Sequence, residues 1–248
     1  MNSFEPYLGV FWGERPVTFG EFTAQTRDFL VGLRRVHPVF DSWYVLGDRM
    51  SDEKPLGADL ENLDALAMER GWNMKAPKDR FTHLDAQGRP AADSLCRLGW
   101  GFGLVTEPEA QKTSDFVYGS ISLGGSIPRL PNSVLLEVRD AASPLCDPVL
   151  SERVFRFMIE FWNPDWALVT EQSYRGAVRD EETREQFGWL NYRADTSFID
   201  VLPAGVAYES FQGGVFFRIG DGRLLTENDT AEVKIGQQIQ HNLLARNA

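Results

Sequence analysis

The sequence predicts an α+β fold: a mixed, largely antiparallel sheet with flanking helices. Three observations carry this. Short apolar runs are closed by Gly and Pro, longer segments repeat their apolar residues at helical spacing, and strand-like runs follow one another through polar turns.

Tyr7 to Trp12 is a compact apolar run closed by Gly13 and Pro16, as a buried strand is. Thr18 with Glu21 three residues on is a capping box, and Phe22, Phe29, Leu33 and Val36 then recur at helical spacing until Pro38. A second strand is expected over Phe40 to Leu46, around Trp43, Tyr44 and Val45. Leu60, Leu63 and Ala67 mark a short helix ending at Gly71. Residues 47–58 and 73–94, polar and rich in Pro, Gly and Asp, read as loops or linkers. Leu98 to Thr106 and Phe116 to Leu123 are strand-like and separated by a polar turn region.

Further on, Val134 to Val138 reads as a strand, and Asp147 before Pro148 as a helix start. Leu150, Val154, Phe157, Met158 and Phe161 give that helix its apolar stripe. Pro164 stops it, and Trp166 to Thr170 is the next strand. Val206 to Phe211 and Val215 to Ile219 make a hairpin through Gln212, Gly213 and Gly214. Val233, Ile239, Leu243 and Leu244 mark a terminal helix after Asp229 and Thr230. One domain over 1–248 fits the length. The two strand-helix-strand segments end alike, at His37-Pro38 and at Asn163-Pro164, which leaves two readings open: similar halves 1–125 and 126–248, or chance likeness of two such units.

Of 248 residues, 25 are Lys or Arg and 36 Asp or Glu, a net charge of −11. Such a chain repels nucleic acid and attracts a basic protein. Cys96 and Cys146, fifty positions apart, offer no metal ribbon or disulfide scaffold, so a reducing compartment is the expectation. The apolar run at the N-terminus is too short for a signal h-region, and no stretch approaches the ~18 apolar residues of a membrane helix. A cytoplasmic protein without membrane contact is expected.

No catalytic constellation emerges. His37, His83 and His241 lack metal-ligand spacing, and the chain has no H-E-x-x-H, Cys-x-x-Cys, G-x-S-x-G or P-loop. Gly99-Trp-Gly-Phe-Gly103 lacks the spacing of a dinucleotide loop and continues into Leu104, Val105 and Thr106. As a strand it puts Trp100 and Phe102 on one face and glycines on the other, where a helix or ring packs closely. Asp221, Glu232 and Lys234 resemble one metal-dependent nuclease pattern. However, Lys234 falls in the terminal helix, and a chain of this charge repels that substrate. No catalytic residue, metal or cofactor is expected.

Acidic residues cluster at Asp48, Asp52 and Glu53, and at Asp180, Glu181, Glu182 and Glu185 around Arg179 and Arg184. Such runs ordinarily form a solvated face. The functional alternative is that Asp52, Glu53, Asp180, Glu181 and Glu182 meet a basic partner, with Tyr174, Trp189 and Tyr192 supplying aromatic contacts.

Several motifs, in order along the chain, resemble the immunity protein 52 family of bacterial polymorphic toxin systems. They are Phe11-Trp-Gly-Glu-Arg15; Arg27, Phe29 and Leu30; Pro38, Phe40, Trp43 and Tyr44; Leu98-Gly-Trp100; Asn132 to Leu136; Trp162, Pro164, Asp165 and Trp166; and Gly188-Trp-Leu190 with Tyr192. The chain departs from the family pattern mainly over 47–94 and after 206. The resemblance implies a single α+β domain that binds and neutralises a cognate toxin, typically a restriction-endonuclease-like nuclease effector of type VI secretion, without catalytic residues of its own. Two other classes stay open: an effector-binding adaptor or chaperone, and a hydrolase built from scattered carboxylates that meet only in space.

Overall fold

The computed structural model describes residues 6–47, 49, 52–70, 81–107, 116–126, 132–138, 141–181 and 185–247. Among them are ten β-strands and five α-helices, and contacts divide the chain into two units: Phe11–Leu136, and Met1–Val10 with Glu137–Ala248. Strands β1 (Pro6–Trp12) and β6 (Asn132–Glu137) run across the two points of division.

In the Phe11–Leu136 unit, helix α1 (Phe19–Val36) begins where the capping box places it. Thr18 Oγ1 accepts from the Glu21 amide at 3.2 Å, and the Glu21 carboxylate accepts from the Thr18 amide at 2.7 Å. Strands β4 (Trp100–Val105) and β5 (Tyr118–Leu123) pair antiparallel along their whole length, from Trp100 opposite Leu123 to Val105 opposite Tyr118. With β2 (Tyr44–Val45) and β3 (Lys54–Pro55) the strand order in this unit is β3-β2-β4-β5-β6. The aromatic face of β4 receives α1: Phe19 meets Trp100 edge-on at 5.3 Å and Phe22 meets Phe102 at 5.5 Å. The indole of Trp100 also donates to the Val17 carbonyl at 3.0 Å.

Two expectations change here. The atoms nearest Gly101 and Gly103 of β4 belong to a carbonyl and an aliphatic side chain. A Cβ on Gly101 would stand 2.5 Å from the Ile121 carbonyl, and one on Gly103 2.8 Å from Leu46 Cδ1. The strand expected over Phe40 to Leu46 shrinks to Tyr44–Val45. Pro38–Phe40 forms a 3-10 turn, and the buried Phe40 and Trp43 rings stack at 5.9 Å, so ring packing takes residues that ladder pairing would otherwise hold. The loop over 47–58 contains β3, and helix α2 (Leu63–Arg70) is tied to α1 by Arg27, which donates to the Leu60 carbonyl and to Asp64.

In the second unit the strand order is β1-β7-β8-β10-β9, with β7 at Trp166–Glu171, β8 at Leu190–Arg193, β9 at Ala207–Phe211 and β10 at Gly214–Arg218. Strand β7 pairs with β8, β8 with β10 and β10 with β9, all antiparallel. The β9–β10 turn has two residues, Gln212 and Gly213, both at positive φ (45° and 75°), the backbone a type I′ hairpin requires. Helix α3 (Pro148–Trp162) starts on Asp147, whose carboxylate accepts from the Leu150 amide, and ends on Asn163 in the left-handed region. Beyond the sequence reading, this unit also contains β8, α4 (Gln172–Val178), capped by Glu171, and 3-10 helices at Pro144–Cys146 and Thr196–Val201. Helix α5 (Thr230–Asn247) packs on α4 at Gly236, where a Cβ would stand 2.6 Å from Val178 Cγ1.

Candidate functional site

The anticipated partner-binding residues fall in both units, and in neither do the described ones join an acidic to an aromatic surface. Asp52 is exposed and Glu53 half-buried, just before β3 in the Phe11–Leu136 unit. In the other unit, Asp180 is half-buried and Glu181 stands out in solvent, 88% exposed and 3.9 Å from Arg179. Glu182, like Asp48 and Arg184, lies outside the described residues.

The aromatic members are core residues, which corrects their assignment as surface contacts. Tyr174, Trp189 and Tyr192 are each at most 1% exposed. Strand β8, which holds Tyr192, lies between β7 and β10 with all four of its residues buried. A strand inside a sheet covered on both faces has no ring to spare for a partner. The hydroxyls serve the fold as well: Tyr174 donates to the Glu232 carbonyl and Tyr192 to the Gln212 carbonyl in the hairpin turn. Burial pushes the Tyr174 hydroxyl well above its usual range, with the Glu232 and Asp229 charges adding to the effect.

What the second unit does expose is its outermost strand. Residues 207–210 of β9 are exposed on both faces, Tyr208 to 53%, while β10 beside it is buried. The register places Glu209 and Phe211 on the face of Phe216, and Tyr208 and Ser210 on the face of Phe217 and Val215. On the first face a four-member ion network holds the strand to α3. Glu209 accepts from Arg156 at 2.5 Å and Arg218 at 3.3 Å, and Glu152 accepts from both arginines. The Arg156 guanidinium lies 4.7 Å from the Phe211 ring centre and 4.2 Å from that of Phe216.

These charges do not form an acid-base pair. The Arg156 hydrogen bond holds the Glu209 carboxyl below its usual value. Burial pushes Glu152 up, but the bonds from Arg218 and Arg156 outweigh it and bring that carboxyl below its usual value too. Likewise Glu171, 3% exposed, accepts from the Ser173 and Tyr174 amides as the cap of α4. Among the described residues no group of three or more His, Cys, Asp or Glu side chains is placed to hold a metal ion. No described helix is long and apolar enough to cross a membrane.

A second ion site lies within the same unit. The Arg193 side chain is 9% exposed, bonds Glu185 at 2.6 Å, and sits 5.1 to 5.4 Å from the centres of Phe198, Phe187 and Trp166. Burial lowers the guanidinium from its ordinary value and Glu185 works against that shift. Glu185, counted with the acidic cluster by sequence, is therefore the counter-ion of a buried guanidinium. Charge is also uneven between the units: 19 acidic against 11 basic residues, a net of −8, belong to the unit holding β9, and 17 against 14 to the other.

The motif residues of the sequence are mostly architectural. Asn132 accepts from the Gly125 amide at 2.8 Å and donates to the Gly13 carbonyl. A Cβ on Gly188 would stand 1.9 Å from the Val169 carbonyl, so only glycine fits there.

Comparison with known proteins follows this pattern. A family model described as immunity protein 52 matches residues 5–246. Among solved structures, the chain is similar to the Pseudomonas aeruginosa T6SS protein PA0821, with 10% identity and a TM-score of 0.46 over 96% of this chain and 72% of that one. No curated protein matches the sequence.

Proposed function

The chain belongs to the immunity protein 52 family, and from that premise we propose that it binds and neutralises a cognate antibacterial toxin by stoichiometric contact rather than by chemistry. The toxin is a restriction-endonuclease-like nuclease effector of type VI secretion, and the encounter takes place in the cytoplasm of the producing cell. The family match over nearly the whole chain carries this reading.

Charge and packing support it. A nuclease must hold phosphates with basic residues, and a chain of net −11 draws such a surface in from a distance. Immunity must be close to complete, which calls for nanomolar binding or tighter and so for a well-packed interface beyond charge alone. The close carboxylates of this fold are committed to arginines and helix caps, an arrangement suited to a rigid binder.

The test is co-expression with the toxin encoded beside this chain, scored by cell survival and by co-elution of the purified pair on a sizing column. Survival with co-elution is the expected result. Survival without a complex would replace binding with an enzymatic or indirect defence. Death despite a complex would make the chain an adaptor that carries the effector without inhibiting it.

A further inference from the structure

We propose that the open edge of β9 is the docking strand for the toxin: an extended segment from a basic region of the toxin pairs with Ala207–Phe211 through main-chain hydrogen bonds, with apolar side chains opposite Tyr208. This rests on the immunity reading above.

The edge itself is the first observation. Strand β9 ends its run of strands and, among the described residues, pairs with β10 alone. Alternate residues of such a strand turn their N–H and C=O groups outward, ready for another chain. Proteins ordinarily guard edges with Lys, Pro or extreme shortness. The strand β3, which ends the run in the other unit, does so: it is two residues long, Lys54 and Pro55. Strand β9 has five residues, Ala-Tyr-Glu-Ser-Phe, with neither Lys nor Pro. Its one charge, Glu209, is bridged by two arginines.

The strand is also held ready. The two-residue turn fixes its register on β10, and Arg156 clamps it from one face through Glu209, Phe211 and Phe216. Little ordering remains for the moment of binding. On the other face Tyr208, half exposed beside buried Phe217, is the kind of amphipathic ring that anchors interfaces.

Charge selects the occupant. The unit that carries β9 has a net charge of −8, so a basic segment is attracted. A second copy of this chain is not, since each copy carries −11.

Hydrogen exchange of this chain, alone and in its co-purified complex with the toxin encoded beside it, tests the proposal. Alternate amides within 207–211 are expected to slow at least tenfold in the complex. The exposed double variant Tyr208→Lys/Ser210→Lys is expected to keep the parental melting temperature and raise Kd at least tenfold. A neutralising complex in which these amides exchange as in the free chain, and which the double variant forms equally well, would overturn the docking strand and leave the immunity reading standing. Failure to form any complex or to protect cells would overturn that reading and the docking strand with it. Concentration-dependent protection of 207–211 without toxin would assign the edge to a second copy and overturn the proposal.

Discussion

Replacing Glu185 with Gln removes the counter-ion of Arg193 while keeping the shape of the site. The guanidinium it leaves behind is 9% exposed and enclosed by Trp166, Phe187 and Phe198 at 5.1 to 5.4 Å. Removing one partner of a fully buried pair costs about 3–5 kcal/mol, whereas surface pairs contribute about 0–1 kcal/mol. Glu185 is itself 39% exposed, so water takes over part of its role and about 2 kcal/mol is the expected loss. For 248 residues unfolding cooperatively, with about 2.1 cal/mol/K of unfolding entropy per residue, that is a drop of about 4 °C in Tm. Arg193→Met removes the charge along with its desolvation cost and is expected to lose under about 1 kcal/mol. The double variant should then match Arg193→Met alone. Thermal unfolding of the four proteins reads the cycle. An unchanged Tm for Glu185→Gln, or a larger loss for Arg193→Met, would refute the assignment of Glu185 as the counter-ion of the buried Arg193.

The acids after α4 act on encounter: Asp180→Lys/Glu181→Lys is expected to slow association with the toxin several-fold at low salt and little at high salt, by stopped-flow measurement. Glu152 and Glu209 have carboxyls below their usual values in the fold. Their contribution is therefore full above the unfolded pKa of about 4.3 and is lost as pH falls through the lower folded values. Glu152→Gln/Glu209→Gln should accordingly show a shallower fall in Tm between neutral pH and pH 3 than the parent chain. Gly188→Ala places a methyl 1.9 Å from the Val169 carbonyl and should destabilise by about 1–3 kcal/mol or more in urea titration. Binding should be unaffected at temperatures where the variant remains folded.

Where a local rule acts alone, the sequence displays the structure. Thr18 and Glu21 mark the start of α1, Asp147-Pro148 that of α3, and the spacing around Gln212 and Gly213 marks the hairpin, because caps and tight turns are decided within a few residues. Strand β8 escapes the reading: Leu190-Asn-Tyr-Arg193 alternates apolar and polar residues over only four positions, the shortest run that can mark a strand, and packing buries its polar members as well. The helix α4 is too short to show a period, and its cap, Glu171, stands at the end of the preceding strand. The surface of the protein was the least legible. Tyr174, Trp189 and Tyr192 look like interface aromatics by type, and Glu185 like one more surface acid. Only tertiary packing shows the rings in the core and the carboxylate paired with a buried guanidinium. The exposed edge of β9 has no local signature, since the last place in a strand order is a property of the whole topology.

Titration of the purified toxin's activity with this chain tests the central claim most directly. The account predicts a linear fall to baseline with a sharp end point at a fixed stoichiometric ratio, the same at short and long incubation. Activity that persists past that ratio, or that substoichiometric amounts of this chain abolish progressively with time, would contradict neutralisation by binding.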